Sequence, residues 1–347
     1  MATKRVLTGM RTTGPLHLGH YVGALKLWKQ VQDSGEYECF FLLADVQALT
    51  THADNPALIE QSVSDVMLDW LAVGLDPFRP NVHFVLQSAL PERFELSAYL
   101  MMIARFAEVS RNPTLKEELR GRKKGDMSVG FMAYPVDQVA DITIFSPCPA
   151  HPGDQLLVPV GEDQIPHLEY SADLARRFNK MYGRGKNILL ECQPMVGEVG
   201  RLVGTDGNSK MSKSLGNTID LADPQEVVTK KIMKMVTDPA RRYKSDPGHP
   251  EVCPVFAYHK AFNGPSLAER MKLCRGAGIT CVECKCQLAQ RLNEELEPIR
   301  QRYLWAQEQD LVEILNRGNV RACQIAGQVL SAVKQAMHLD YPSLIKE

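Results

Sequence analysis

Residues Thr8–Gly23, TGMRTTGPLHLGHYVG, carry three glycines between a strand and a helix. Before them, Arg5–Leu7 reads as the end of a short strand. After them, Tyr21–Val31 reads as a helix, with Val22, Leu25 and Trp28 at helical spacing. Gly9, Gly14 and Gly19 lie between, and Pro15 fixes one φ angle. Such a turn lets backbone N–H groups approach a phosphate at the positive end of a helix. Neither G-x-G-x-x-G nor a glycine loop ending Gly-Lys-Ser/Thr occurs in it. His17 and His20 stand on either side of Gly19, and histidine can donate to a phosphoryl oxygen.

Outward from this turn, strands and helices alternate. Glu38–Asp45, Asn81–Gln87 and Leu156–Val160 read as strands, the first with the continuous apolar run of a strand buried on both faces. Asn55-Pro56 starts a helix that runs to about Val73, with Gly74 as C-cap. Pro91–Arg111 and Pro166–Tyr182 read as further helices, and Thr114–Ser128 as a mobile surface loop. In Gly130–Phe145, Asp141 sits among apolar residues with no evident local cation, which would be costly to bury unpaired. The alternation predicts an α/β fold with a parallel sheet that binds its ligand at the carboxyl ends of the strands.

A second polar stretch, Asp206–Asn217 (DGNSKMSKSLGN), places Lys210 and Lys213 around two serines between glycines. Lysines and hydroxyls of this kind suit a triphosphate transition state. Beyond it the strands stop: Pro224–Met235, Leu288–Tyr303 and Val320–Met337 read as helices, the second expected to kink at Pro298. Two domains follow, residues 1–214 with the sheet and residues 215–347 all helical, the last helix packing back on the first domain.

Forty-four per cent apolar and twenty-three per cent charged residues are enough for a large core and argue against disorder. No apolar run reaches bilayer length and MATKRVLTG lacks a secretory h-region, so the expected compartment is the cytoplasm. A net charge of −1 argues against indiscriminate nucleic-acid binding. It leaves room for a local basic face at Arg120–Lys124, Lys230–Lys234 or Arg241–Lys244.

His17-Leu18-Gly19-His20 and Lys210-Met211-Ser212-Lys213-Ser214 together resemble the HIGH and KMSKS signatures of class I aminoacyl-tRNA synthetases. The opening TGMRTTGPLHLGHYVGAL, Tyr134-Pro135, Ala140-Asp141-Ile142 and Val160–Gln164 narrow the resemblance to the tryptophanyl-tRNA synthetases, over almost the whole chain. That resemblance implies a Rossmann-like catalytic domain and a helical anticodon-binding domain. It also implies a homodimer acting on L-tryptophan, Mg·ATP and tRNA(Trp). It assigns catalysis to His17, His20, Lys210 and Lys213. ATP contacts fall on Arg11, Thr12, Gly19, His20, Gly161, Asp163, Lys210, Met211, Ser212, Lys213 and Ser214. Leu7, Tyr134, Gln138, Asp141 and Gln164 would hold tryptophan, with Asp141 accepting the indole N–H and Val139 as a further apolar wall. Arg11 and Gln138 depart from the glutamine and methionine common in bacterial members. The alternatives are a tyrosine-specific relative, an adenylyltransferase sharing only the first signature, and a synthetase-like binding protein without catalysis.

Five of the nine cysteines crowd into Cys253–Cys286; Cys39, Cys148, Cys192 and Cys323 are scattered and expected to be reduced. Cys253, Cys274, Cys281 and Cys284 form C-x20-C-x6-C-x2-C, with Cys286 to spare. Four soft ligands suit tetrahedral zinc or a [4Fe–4S] cluster, and spacing does not choose between them. A subset of bacterial tryptophanyl enzymes carries such a cluster with the same last two intervals and a longer first gap. The resemblance therefore implies a structural [4Fe–4S] cluster, and the shorter first gap leaves the fourth ligand open between Cys253 and Cys286.

Overall fold

The computed structural model describes residues 2–119, 127–197, 202–207 and 211–341. The chain opens with β1 (Lys4–Arg11) and α1 (Leu18–His20), which passes through a π-helical turn at Tyr21–Leu25 into α2 (Lys26–Ser34). β2 (Glu38–Ala44) feeds directly into α3 (Asp45–His52). α4 (Pro56–Val73) then starts on the Asn55 cap and stops where Gly74 turns left-handed, with φ 95°. β3 (Val82–Leu86) precedes α5 (Pro91–Ile103), α6 (Phe106–Val109), α7 (Pro113–Leu119) and α8 (Val129–Thr143). β4 (Gln155–Val160), α9 (Ile165–Tyr182) and β5 (Gln193–Val196) complete the sheet. α10 (Gln225–Lys234), α11 (Pro254–Phe262), α12 (Leu267–Arg275), α13 (Cys281–Ala306) and α14 (Leu311–Met337) follow, and no strand occurs after β5 among the described residues.

The five strands are parallel throughout, in the order β3-β2-β1-β4-β5. The expected Rossmann-like sheet with a helical continuation is therefore present. The order reverses at β1, so connections leave β1 and β4 towards opposite sides and open a crevice at their carboxyl ends. Thr8 Oγ1 donates to Pro159 O at 2.8 Å and links the two strands at that point.

Several boundaries differ from the sequence reading. β1 continues to Arg11, so Gly9 lies inside the strand. A Cβ there would come within 2.5 Å of Leu42 O on β2, which explains a glycine at that point better than a turn does. The helix after the turn starts at Leu18, because His17 caps it. The Pro91–Arg111 helix breaks after Ile103, where Ala104 is extended. Part of the expected Thr114–Ser128 loop is helix α7, whose first turn is capped by Asn112 Oδ1 accepting from Thr114 and Leu115 N–H. The basic run Arg120–Lys124 lies outside the described residues. Pro298 stands inside α13, whose helix continues to Ala306.

The last helix, α14, lies against β3 and α5. Asn319 Oδ1 accepts from Leu86 N–H at 2.9 Å, satisfying a donor on the sheet's outer strand. Arg321 pairs with Glu38 at 2.7 Å, and Ala322, Ile325, Ala326, Val329 and Val333 join the core formed with Leu7, Phe40 and Leu42. Backbone approach is closest at Gly318, where a Cβ would sit 1.9 Å from Phe84 O. Gly318→Ala should therefore destabilise by at least about 1–3 kcal/mol through overpacking. Gly327→Ala, with open space around its Cβ, should stabilise by about 1 kcal/mol through helix propensity. Urea unfolding midpoints of the two variants check this; equal shifts would mean that α14 does not pack on the sheet as described.

Candidate active site

The two signature stretches are joined by backbone hydrogen bonds. Leu18 N–H donates to Ile219 O at 2.9 Å, Leu221 N–H donates to Leu16 O at 3.1 Å, and His17 faces Asp220 as an antiparallel bridge. Asn217 Oδ1 accepts from Ser212 N–H at 2.7 Å and its amide donates to Asp206 at 3.1 Å, which pins the second loop from within. Lys213 Nζ reaches across to Thr13 O at 3.0 Å. Gly14, at φ 105°, sits beneath that lysine, and a Cβ on it would lie 3.0 Å from Nζ. Gly19 sits beneath the His17 ring, where a Cβ would approach Cε1 to 2.9 Å.

His17 caps α1. Its Nδ1 accepts from Gly19 N–H at 3.1 Å, and its own N–H donates to His20 Nδ1 at 3.2 Å. The rings lie 3.9 Å apart between centroids. Acceptance at Nδ1 places the proton of each neutral ring at Nε2. Burial, helped by the charge of Lys213, pushes the His17 pKa down to about 4, so the ring is neutral at pH 7. Burial also lowers Lys213 to about 8, against the pull of Asp220, Asp69 and Asp65. Asp69, 1% exposed, accepts from Leu16 N–H at 2.6 Å and is pushed up to about 7 by burial.

A cavity of about 420 Å³ opens beside these loops at the carboxyl ends of β1, β2 and β4. Leu7, Arg11, His20, Tyr134, Gln138, Asp141, Gly161 and Gln164, eight of the residues singled out from sequence, line it together. Thr12 is buried and does not line it; Met211 is buried in the core with Leu18. Val139 is buried in the sheet-side core and is not a wall of the cavity, because it faces away along α8. Lys210 and the side chains of Asp163 and Ser214 lie outside the described residues. The sequence reading missed Gln47, Glu118 and His167, which also line the cavity. Glu118 hydrogen-bonds the Tyr134 hydroxyl, and His167 Nε2 lies 3.4 Å from it. The Asn112-Pro113 pair, a cap followed by a first-turn proline, was the available signal for the helix carrying Glu118.

Asp141 is 6% exposed and, contrary to expectation, has a cation beside it. Arg93 Nε lies 2.6 Å from its Oδ1, but off the hydrogen-bond axis, so charge carries the contact. Oδ2 accepts from Gln87 Nε2 at 2.7 Å. Oδ1 is shielded from solvent, with that guanidinium as its partner. Burial is the largest influence on this carboxyl and pushes it up to about 7, with Arg93 pulling it back.

The second cluster of interest is built from cysteines. Cys253, Cys274, Cys281 and Cys284 line one small enclosed cavity with Asp238, Arg241 and Phe256. Cys286 is exposed and does not line it. Among the described residues, no group of three or more His, Cys, Asp or Glu side chains is spaced to hold one metal ion. All nine cysteines are free of disulfides.

Residues 2–297 match the family described as tRNA synthetases class I (W and Y). The chain belongs to that family of class I synthetases. Within it, the tryptophan–tRNA ligase of Clostridium longisporum is 41% identical over 349 residues, covering 98% of both chains. That of Lactococcus lactis is 42% identical, covering 98% of this chain and 99% of the other. A solved tryptophanyl-tRNA synthetase from Campylobacter jejuni, in complex with ADP and tryptophan, superposes with a TM-score of 0.77 at 30% identity. It covers 96% of this chain and 100% of its own.

The neutral His17 has a measurable consequence. Its folded-state pKa of about 4 lies below the ordinary 6.5, so the unfolded chain binds the proton more readily. Stability from this residue is full above pH 6.5 and is lost as the pH falls towards 4. Between pH 7 and pH 5 the wild-type protein should lose on the order of 1–2 kcal/mol more than His17→Gln, read from urea unfolding at both pH values. Equal losses would show that His17 is protonated without cost.

Proposed function

We infer that this chain attaches L-tryptophan to its tRNA at the expense of ATP. It does so through a tryptophanyl-adenylate, releasing pyrophosphate and AMP. The observation that carries the reading is the meeting of both signature loops beside a cavity lined by a buried carboxylate, Asp141. That carboxylate also favours tryptophan over the tyrosine alternative: it can accept an indole N–H, whereas phenylalanine offers no donor and tyrosine misfits it.

In the proposed mechanism Leu7 packs on the indole, and Tyr134, Gln138 and Gln164 orient the amino acid. Tryptophan's carboxylate attacks the α-phosphate of Mg·ATP in line. His17 and His20 donate from Nε2 to phosphoryl oxygens, and Lys210 and Lys213 follow the charge onto the leaving pyrophosphate. Gly19 and Gly161 permit close approach of the nucleotide; Arg11, Thr12, Asp163, Met211, Ser212 and Ser214 complete its site. The terminal ribose 2′-hydroxyl of the tRNA then attacks the adenylate. No covalent enzyme intermediate is required.

The helical region from residue 215 onward is proposed to receive the anticodon. A homodimer is proposed through α5, α6 and the start of α8, where Phe94, Met101, Met102, Phe106 and Val129 are exposed, Met102 by 78% and Val129 by 85%. An apolar face of this kind is usually covered by a partner. The free cysteines fit a reducing cytoplasm, and no described helix is long and apolar enough to cross a membrane.

Cys253, Cys274, Cys281 and Cys284 are proposed to hold a [4Fe–4S] cluster, since four thiols share one cavity with a cationic neighbour, Arg241. The cluster would supply a structural cross-link between α11, α12 and α13. Zinc is the alternative; it would require the side chains to draw together around one ion. Anaerobically purified protein should contain about four irons per chain. Cys253→Ser should lower that content, and Cys286→Ser should leave it unchanged. One zinc per chain and no iron would select zinc instead.

Pyrophosphate exchange tests the main reading: it should depend on tryptophan and not on tyrosine or phenylalanine. Lys213→Ala should lower its rate by roughly two to three orders of magnitude with little change in tryptophan binding. Because the Lys213 pKa is about 8, its charge is present below that pH and lost above it. The kcat/KM for ATP should therefore fall above about pH 8 in the wild type, and Lys213→Arg should abolish that limb. A flat profile through pH 9 would remove Lys213 from the transition state.

A further inference from the structure

We infer that Arg93 and Gln87 are positioning residues that hold the Asp141 carboxylate ready for tryptophan. Specificity then resides in a buried network and not in Asp141 alone. This rests on the reading that Asp141 meets the indole.

The network joins three elements. Arg93, 0% exposed, stands on α5 between two carboxylates of α8, Asp137 and Asp141. Ser97 Oγ, one turn further along α5, donates to Asp137 Oδ1 at 2.8 Å. The Phe94 ring lies 4.5 Å from the guanidinium carbon. Enclosed in this way, Arg93 has no route to solvent and stays charged. Gln87 follows β3 and is 0% exposed. Its Oε1 accepts from Gln47 N–H at 3.0 Å, which settles the orientation of its amide. Nε2 must then face Asp141, as its 2.7 Å contact shows.

The division of labour between the two carboxylate oxygens follows. Oδ2 is fixed by a directional hydrogen bond. Oδ1 is paired with the Arg93 guanidinium at 2.6 Å; these two contacts leave the carboxylate lone pairs with which to accept a further donor. A fixed, charged acceptor with lone pairs to spare is what an N–H donor needs. Two carboxylates share one guanidinium, so removal of Arg93 leaves the buried Asp141 beside a like charge with no cation, which drives Asp141 towards its protonated form. A protonated Asp141 presents an O–H, which opposes an indole N–H instead of receiving it. The charged groups that face Asp141 are Arg93 of α5 and Asp137 of its own helix, so the effect is confined to this triad.

The test compares full-length wild type with Arg93→Gln, Arg93→Lys, Gln87→Leu and Asp141→Asn in tryptophan-dependent pyrophosphate exchange between pH 6 and pH 8.5. Thermal unfolding is followed in parallel. Arg93→Gln should raise the KM for tryptophan about tenfold or more at pH 7 while the KM for ATP stays within about twofold. Its tryptophan KM should improve only at higher pH than that of the wild type, whose own Asp141 titrates near 7 and is held down by Arg93. Arg93→Lys keeps the charge and should recover part of the loss. Gln87→Leu should raise the tryptophan KM several-fold, and it decides the matter if the Arg93 variants fail to fold. Folded Arg93 and Gln87 variants with wild-type tryptophan KM, or with both substrates weakened alike, would overturn the inference. If Asp141→Asn alone shifts tryptophan, only the present inference falls; if Asp141→Asn shifts nothing, the assignment of the pocket falls with it.

Discussion

The antiparallel contact between Leu16–Leu18 and Ile219–Leu221 is the constraint on which the site depends. It brings together segments about two hundred residues apart, a separation that local preference cannot bridge. Side chains alone would hold two loops poorly; backbone hydrogen bonds fix the register of Leu16–Leu18 against Ile219–Leu221. Gly14 supplies the left-handed turn at φ 105°, and a Cβ at Gly19 would strike the His17 ring. Asp69 completes the frame from α4 by accepting from Leu16 N–H. The sheet supplies the platform and this contact supplies the geometry.

Burial does chemical work at both ends of the site. Around the first signature it leaves His17 neutral and lowers Lys213, although acids at positions 65, 69 and 220 pull the lysine the other way. A lysine whose charge is costly in the empty site gains most when a polyphosphate arrives, since the new anion relieves the desolvation that burial imposes. At the other end, burial raises Asp141 against the pull of Arg93. In the proposed function, each of these groups meets a substrate of complementary charge or hydrogen bonding. This favours specificity at some expense of stability in the empty protein.

Much of this was legible in sequence where local chemistry decides the outcome. The Asn55 cap, Pro56 and Gly74 bound α4 correctly, because capping and left-handed glycine are local effects. The apolar run Glu38–Ala44 reads as a doubly buried strand for the same reason. Eight residues to which the resemblance pointed line one cavity at the carboxyl ends of the strands. What was not legible came from long-range contacts. Arg93 and Asp141 are forty-eight positions apart, and nothing near Asp141 in sequence announces a cation. β5 is short and mostly exposed, so it lacks the apolar pattern of its neighbours and is a strand only because β4 pairs with it. Gly9 was taken for a turn residue, whereas its reason is the approach of Leu42 on β2.

The same two helices carry the proposed specificity network and the exposed apolar face. On α5, Arg93 turns inward to Asp137 and Asp141 while the neighbouring Phe94, 42% exposed, faces outward. On α8, Val129 is exposed at the start and Asp141 is buried near the end. A partner covering that face would restrict α5 and α8 as packed bodies, since close-packed helices transmit strain and do not deform smoothly. The fork of Arg93 links both helices by charge, so any shift between them must stretch the contact to Asp141. In the proposed dimer, the wall that selects tryptophan and the wall that meets the second subunit would therefore be one pair of helices. Asp141 would then depend on how that pair is held, as well as on the groups it touches.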